Sequence, residues 1–579
     1  MRLASITTRS RTFIGLLPQL AAILVAAAAP ACTGDAGADG NNGPAGQDGS
    51  DGAPGGDGAE GPKGEPGESA NVDPSLSPLE KVFVGIGGED LLAGLTTLKV
   101  SSSGAHWMPG EWFRPTDPLQ RVATFDLDLS FDLEADNLRL HYVRELTFLG
   151  ITAHTDFSEI IAGDVGVVDG VDALFGGPPN VEMSSSRWAA TRRHQRLLHP
   201  LLILRDLSVN PALVLDDKGL ALLDGSVHHL LVLEDPVSPV TLWVNAATGW
   251  INKISLVEND PLHRDVEVAA FFYGWGTMAA GGLRFPSEAY IAHDGNIVHQ
   301  ETRSAITVNE PIPAESFVFP ADLDPTYDAE GAHRGEANCE GIQVVLEGGF
   351  TFYDAQQKLV NATELSPGVY YLTGGSHNSL VVDQADGLVL IEAPLEEGRS
   401  EAILSWKEET FPGRPIKHVV TTHHHSDHAG GVRTIVAAGA RSVISAASLD
   451  YFKEILSAPS QVYPDALELN PTAYGFETVP VAGSLTLSDA ERPVTLYHVS
   501  TVHAFDMVMA YVPSAQLIFQ SDLINPGTPL FILPAFHQAG VDLVAAINAE
   551  GIASPELKIV GGHGTGPNTL VEVETALGQ

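Results

Sequence analysis

The chain has 579 residues, 44% of them apolar, and sets 31 Lys and Arg against 73 Asp and Glu for a formal charge of −42. That apolar share is ordinary for folded soluble protein and excludes both a polytopic membrane protein and a wholly disordered chain. The acidic field repels phosphate backbones and excludes nucleic acid as a partner.

Arg2, Arg9 and Arg11 precede the apolar stretch from Phe13 to Ala29, and the small residues Ala29, Pro30 and Ala31 follow. This is the charge, apolar core and cleavage site of an export signal over 1–31. Cys32 stands where a bacterial lipoprotein carries its acylated cysteine, while the same Ala-Pro-Ala also suits ordinary signal peptidase. The expectation is therefore an exported protein, lipid-anchored at Cys32 in the cell envelope (outer membrane or periplasm) or released outside. No later run approaches the ~20 apolar residues of a spanning helix, so an anchor at Cys32 is the only membrane attachment expected.

From Gly34 to Gly67 glycine recurs at every third position. Only glycine fits the crowded axis of a three-chain polyproline-type helix, which is the physical origin of that period. The collagen-like segment 34–69, within 32–75, reads as a stalk that makes the chain a homotrimer or as a flexible spacer. In either case it supplies reach, not chemistry.

Over 76–330 the pattern is antiparallel β. Phe125, Leu127, Leu129, Phe131 and Leu133 alternate with Asp126, Asp128, Ser130 and Asp132, which predicts a strand with one apolar and one wet face. Val240–Val244 and Trp250–Ile254 flank a turn and predict a hairpin. A helix is predicted near 186–199, with Arg192, Arg193 and Arg196 on a solvated face. The region has a weak resemblance to the β half-barrel of outer-membrane lipoprotein carriers, most of all over 225–320. A curved sheet of that kind holds an apolar ligand or serves as a packed support for its neighbour. The stretch 331–340 is a polar, Gly-rich linker, and its Cys339 is a lone thiol outside any CxxC pair.

From 341 onward strands alternate with helices. Strand-like runs cover Gly368–Leu372, Ser379–Val382 and Gly387–Ile391, a helix is predicted over Arg399–Thr410, and Lys417–Val420 forms a further strand. That strand runs into His423-His424-His425-Ser426-Asp427-His428. Alternate His423 and His425 can converge on one cation, with Asp427 and His428 turned to a second. Imidazole and carboxylate together suit Zn²⁺.

With this motif, residues 341–579 resemble the metallo-β-lactamase superfamily, and three further signatures follow in order. His503 precedes the apolar run Val508–Val512, Asp522 follows the strand Gln516–Gln520, and His563 lies in Gly561-Gly562-His563-Gly564. The fold class expected is thus multidomain: an antiparallel β-rich, half-barrel-like domain followed by an αββα sandwich of the metallo-β-lactamase fold. The resemblance implies His423, His425 and His503 around one metal and Asp427, His428 and His563 around the other, with Asp522 bridging. Two Zn²⁺ per domain are expected, iron being the alternative, and Asp427 is the expected catalytic residue that orients the nucleophile. His498 is read as a packed rival to His503, His424 as pointing away from the metals, and His377 as a surface histidine on an early hairpin. Glu392 stands where many members of the superfamily have Asp.

The implied function is an exported zinc-dependent hydrolase that cleaves an ester, thioester, lactone, β-lactam or similar bond in a small-molecule substrate. Two alternatives remain. A mononuclear iron enzyme like the persulfide dioxygenases uses the same histidine run, and a non-enzymatic surface protein would bind a partner through the stalk and β-domain.

Overall fold

The structure is a computed structural model that describes residues 72–108, 112–148, 150–174, 178–235, 238–278, 281–327, 358–530 and 532–579. The export signal, Cys32, the collagen-like segment, Cys339 and the 331–340 linker lie outside the described residues. Among the described residues no helix is long and apolar enough to cross a membrane.

The alternation at 125–133 builds an interior strand of a thirteen-stranded sheet whose described pairings are antiparallel. Strand Thr97–Met108 pairs with Gln120–Asp132 on one side and with Asn296–Val308 on the other. Phe125, Leu127, Leu129 and Phe131 are buried, as a half-buried strand requires. The predicted hairpin is present as Val240–Asn245 paired with Ile251–Asp260. Two helices, Ser185–Leu198 and Pro200–Val209, place Leu197, Leu198, Leu201 and Leu204 in the same apolar cluster as the sheet's Leu129, Leu256 and Phe272. The sheet and these helices thus share one core.

Arg192, Arg193 and Arg196 do not form a freely solvated face. Arg193 pairs with the fully buried Glu258 at 3.0 Å, Arg192 with Asp136, and Arg196 with Asp206 at 2.8 Å. Deeper still, Arg187 bonds both Glu159 and Asp172 with all three side chains at most 4% exposed. Buried ions of this kind persist only when paired, which is what the sequence pattern alone could not show.

The same core buries His199 against Phe131. Burial, with Arg303 adding to it, pushes its imidazole down to about 3, and Glu301, His194 and His299 also face it. An unfolded histidine titrates near ~6.5, so the folded state binds fewer protons between those two values. Stability is then complete above the unfolded value and is lost as pH falls below it. His106, lowered by burial and by His299, acts in the same direction. The unfolding free energy of the β-domain, read from urea titrations, is expected to drop between about pH 7 and pH 5 by up to ~1.4 kcal/mol per pH unit for each such histidine, and the urea midpoint with it. The drop shrinks in His199→Leu, and a pH-independent midpoint would contradict it.

The C-terminal part holds two sheets, seven strands from Asn361–Ser366 to Phe476–Val479 and six from Ser484–Leu487 to Asn568–Thr569. Alternation along each strand sorts its side chains into separate cores. Val389, Ile391 and Val420 of the first sheet meet Leu496, Val508 and Phe519 of the second. Leu388, Leu390 and Val419 instead pack on Ile403, Val432, Ile435 and Phe452 from helices. Met509 and Ile518 pack on Leu543, Ile547, Val573 and Leu577 of the last two helices.

The β-domain and this region interlock. Leu262, on the hairpin between two strands of the large sheet, is 1% exposed and belongs to the C-terminal core. Beside it Arg264 bonds Ser460 Oγ at 3.0 Å and lies 3.5 Å from Asp465, which also holds Arg433.

Candidate metal centre

The site is assembled from strand ends and the turns between strands, the usual location in open α/β sheets. The buried strand Ile416–Val420 lies parallel between two neighbours and delivers Thr421 to His428 at its carboxyl end. His377 comes from the turn after Val369–Thr373, and Glu392 follows Gly387–Ile391. In the second sheet His503 precedes Val508–Val512, Asp522 follows Leu517–Phe519, and His563 follows Lys558–Val560.

Backbone bonds stitch these loops together. Val508 N–H donates to Thr422 C=O at 2.7 Å, Asn378 N–H to Gly562 C=O at 2.7 Å, and Leu395 N–H to Asp427 C=O at 2.8 Å. Glu392, Leu395 and Ser521 adopt left-handed backbone conformations although none is glycine, at about 1–2 kcal/mol each. Gly562 is required by contact: a Cβ there would stand 2.9 Å from both Glu392 Oε2 and the His428 ring.

All seven residues singled out in the sequence converge. His423, His425, His503 and Asp522 form one group and His377, Asp427, His428 and His563 another, the ligand atoms within each lying within 4.8 Å of one another. Asp522 sits between them, with Oδ2 3.0 Å from His428 Nε2 and 3.5 Å from His503 Nε2, and Oδ1 3.5 Å from His563 Nε2. His498 stays outside both groups and faces Ser445 Oγ.

His377 is not a surface histidine. It is 2% exposed, and its Nε2 lies 2.9 Å from Asp427 Oδ2 while Nδ1 faces Ser376 Oγ at 2.8 Å. Its short polar turn reads as a surface hairpin because the Asp427 partner lies fifty residues away in sequence. Glu392 likewise has a defined place: Oε1 accepts from Thr422 Oγ1 at 2.6 Å and Oε2 faces His428 Nδ1 at 3.1 Å. A carboxylate behind a ligating histidine fixes the ring and its tautomer, and Glu fills that role here.

The donor set fits divalent cations. Burial and the neighbouring histidines hold His423 and His425 well below the ordinary imidazole value, so both are neutral and carry a free lone pair for coordination. Burial would raise Asp427 and Asp522, yet the adjacent histidines outweigh it and hold both carboxyls well below their usual range. Asp427 Oδ1 is buried with no hydrogen-bond partner among the described residues. Burial would lower His428, but Asp427, Asp522 and Glu392 around it raise it well above normal. The cluster therefore attracts positive charge, and cations would supply it.

His424 points away from both groups. Its Nδ1 faces Asp506 Oδ1 at 2.7 Å and its Nε2 faces Trp112 C=O at 3.0 Å. The same carbonyl takes His425 Nε2 at 2.9 Å, and in the neutral ring that leaves Nδ1 as the lone-pair nitrogen. Trp112 belongs to the β-domain, and nothing in its local sequence marks it for this role. A cleft of about 720 Å³ opens beside the histidines, walled by both domains.

Comparison with known proteins agrees with this geometry. Residues 372–563 match the profile of the metallo-beta-lactamase superfamily. A stretch of 143 residues is 21% identical to the metallo-beta-lactamase type 2 of Bacteroides fragilis, covering 24% of this chain and 50% of that protein. Another of 85 residues is 29% identical to a linear primary-alkylsulfatase of a Pseudomonas species, covering 14% of this chain and 13% of that one. The chain thus spans half or less of the length of these curated relatives. Among solved structures, a metallo-beta-lactamase from Pontibacter korlensis aligns over 38% of this chain and all of its own, at 20% identity and a TM-score of 0.29.

Proposed function

We propose that the C-terminal part is a metallohydrolase that holds two divalent cations, zinc by donor chemistry, and cleaves a small-molecule ester, thioester, lactone, β-lactam or sulfate ester. One observation carries the reading: two four-residue groups of buried and half-buried imidazoles and carboxylates meet at Asp522. His423, His425 and His503 would hold one ion, Asp427, His428 and His563 the other, and Asp522 both. Cations held by these residues would lower the pKa of a bound water and polarise the bond to be broken. The chain's own residues do the rest. Asp427, deprotonated and held by His377, accepts a proton from the attacking water or orients it. Glu392 and Thr422 fix the rings of His428 and His423.

The three separate cores of the C-terminal part support the αββα sandwich, and the long antiparallel sheet with helices on it supports a half-barrel-like β-domain. Export, the anchor at Cys32 and the collagen-like stalk remain part of the proposal, resting on the sequence pattern. The metallo-beta-lactamase relative supports the β-lactams already expected, and the alkylsulfatase relative adds alkyl sulfates.

The test is metal analysis of unsupplemented full-length protein with a hydrolysis screen over ester, thioester, lactone, β-lactam and alkyl sulfate probes. Two zinc per chain, with turnover lost on chelation and regained with zinc, is expected. A single iron per chain would favour the dioxygenase reading. Turnover that survives complete metal removal would overturn metal-dependent hydrolysis.

A further inference from the structure

Part of the wall of the cleft beside the metal ligands comes from the β-domain, and Leu533 and Phe536 of the C-terminal part complete its apolar lining. Met108, Trp112, Phe113, Arg121 and Phe148, all from the β-domain, line it opposite Asp427, His503 and Asp522. The aromatic surface is held in place. The Trp112 indole N–H donates to Met108 C=O at 2.9 Å, and the ring meets Phe148 edge-on at 6.3 Å. Phe505 N–H donates to Phe113 C=O at 3.0 Å, tying this loop to the turn that follows His503.

Arg121 differs from the buried arginines of the β-domain. Arg144 bonds the Asp172 carbonyl, and Arg187, Arg193 and Arg303 each meet a carboxylate. Arg121 is exposed in the cleft, is the only Lys or Arg among the described residues lining it, and pairs with no carboxylate among the described residues. In a chain of net charge −42, a guanidinium left open toward a cavity favours an oxyanion.

We propose that the β-domain is the specificity half of the catalytic cleft, with Trp112 and Phe148 taking the apolar body of the substrate and Arg121 a carboxylate at its far end. This assigns a substrate class, an amphiphile with an apolar or aromatic body and a terminal carboxylate remote from the scissile bond. It rests on the reading of the histidine site as a hydrolase centre only for the orientation of the substrate. The pocket's chemistry stands on its own lining.

Binding without turnover separates the two readings. In the zinc-loaded full chain, phenylhexanoate and phenylhexanol, neither of which has a scissile bond, are compared by titration calorimetry. The acid is expected to bind about 10-fold tighter than the alcohol, the value of one charge-assisted contact. Arg121→Ala closes the gap to within about 2-fold, Arg121→Lys keeps part of it, and Phe148→Ala weakens both probes by about 10-fold. A gap that persists in Arg121→Ala would place the carboxylate on the metals and overturn the assignment. Equal binding of acid and alcohol by the unaltered chain would overturn it as well. If the chain discriminates between these probes but turns over no scissile compound, the hydrolase reading fails and the pocket stands.

Discussion

Replacing Asp427 by asparagine is expected to lower turnover by between about 100- and 10,000-fold, the range for losing a positioned acid–base group, with melting temperature little changed. The substitution keeps the shape of the side chain and removes its charge. In the unaltered chain one oxygen of Asp427 meets His377 Nε2 at 2.9 Å, and the other is buried without a hydrogen-bond partner among the described residues. An amide in that place can still meet His377 but presents a much weaker ligand and no base. The second group thereby loses its one carboxylate other than the shared Asp522, so one zinc per chain is expected in place of two. Activity within about tenfold of the unaltered chain would show that Asp427 is neither base nor essential ligand. Loss of fold, read by melting, would instead mean that the buried negative charge supports His428, which three carboxylates surround.

Much of this site was legible because its chemistry is local. His423 to His428 occupy six consecutive positions after an apolar strand, so periodicity places the loop and residue type names the ligands. His503, Asp522 and His563 are each marked by an apolar strand beside them, and the structure brings all three to the first loop. His377 and Trp112 carry no such mark. The importance of His377 comes from Asp427, and that of Trp112 from a backbone carbonyl, which no side-chain pattern encodes. The arginines of the Ser185–Leu198 helix failed for a related reason. A charged run on a helix reads as solvated until the opposing sheet is known to present Glu258 and Asp136. In the β-domain the alternation at 125–133 was sufficient for the strand but silent about its neighbours. The order of thirteen strands depends on pairings such as Leu98 with Val308, more than two hundred residues apart.

Trp112→Ala is expected to weaken zinc binding by about 10- to 100-fold, the usual cost of losing a partner behind a metal ligand, although the substituted side chain touches no ligand. The indole anchors its own loop through Met108 C=O and Phe148, and the loop presents the carbonyl that receives both His424 and His425. Without the anchor that carbonyl is no longer fixed, and the His425 ring loses what selects its tautomer and orientation. A loss of packing alone would lower the melting temperature but leave the zinc affinity of the folded protein unchanged. Positional loss predicts that excess zinc restores turnover, and that Trp112→Phe, which keeps the ring but not the N–H donor, falls between. If Trp112→Ala binds zinc as tightly as the unaltered chain, the carbonyl is an incidental neighbour. The β-domain would then act on the substrate, because its Phe113–Phe505 contact and its packing on Leu395 reach the metal loops without a bond to a ligand side chain.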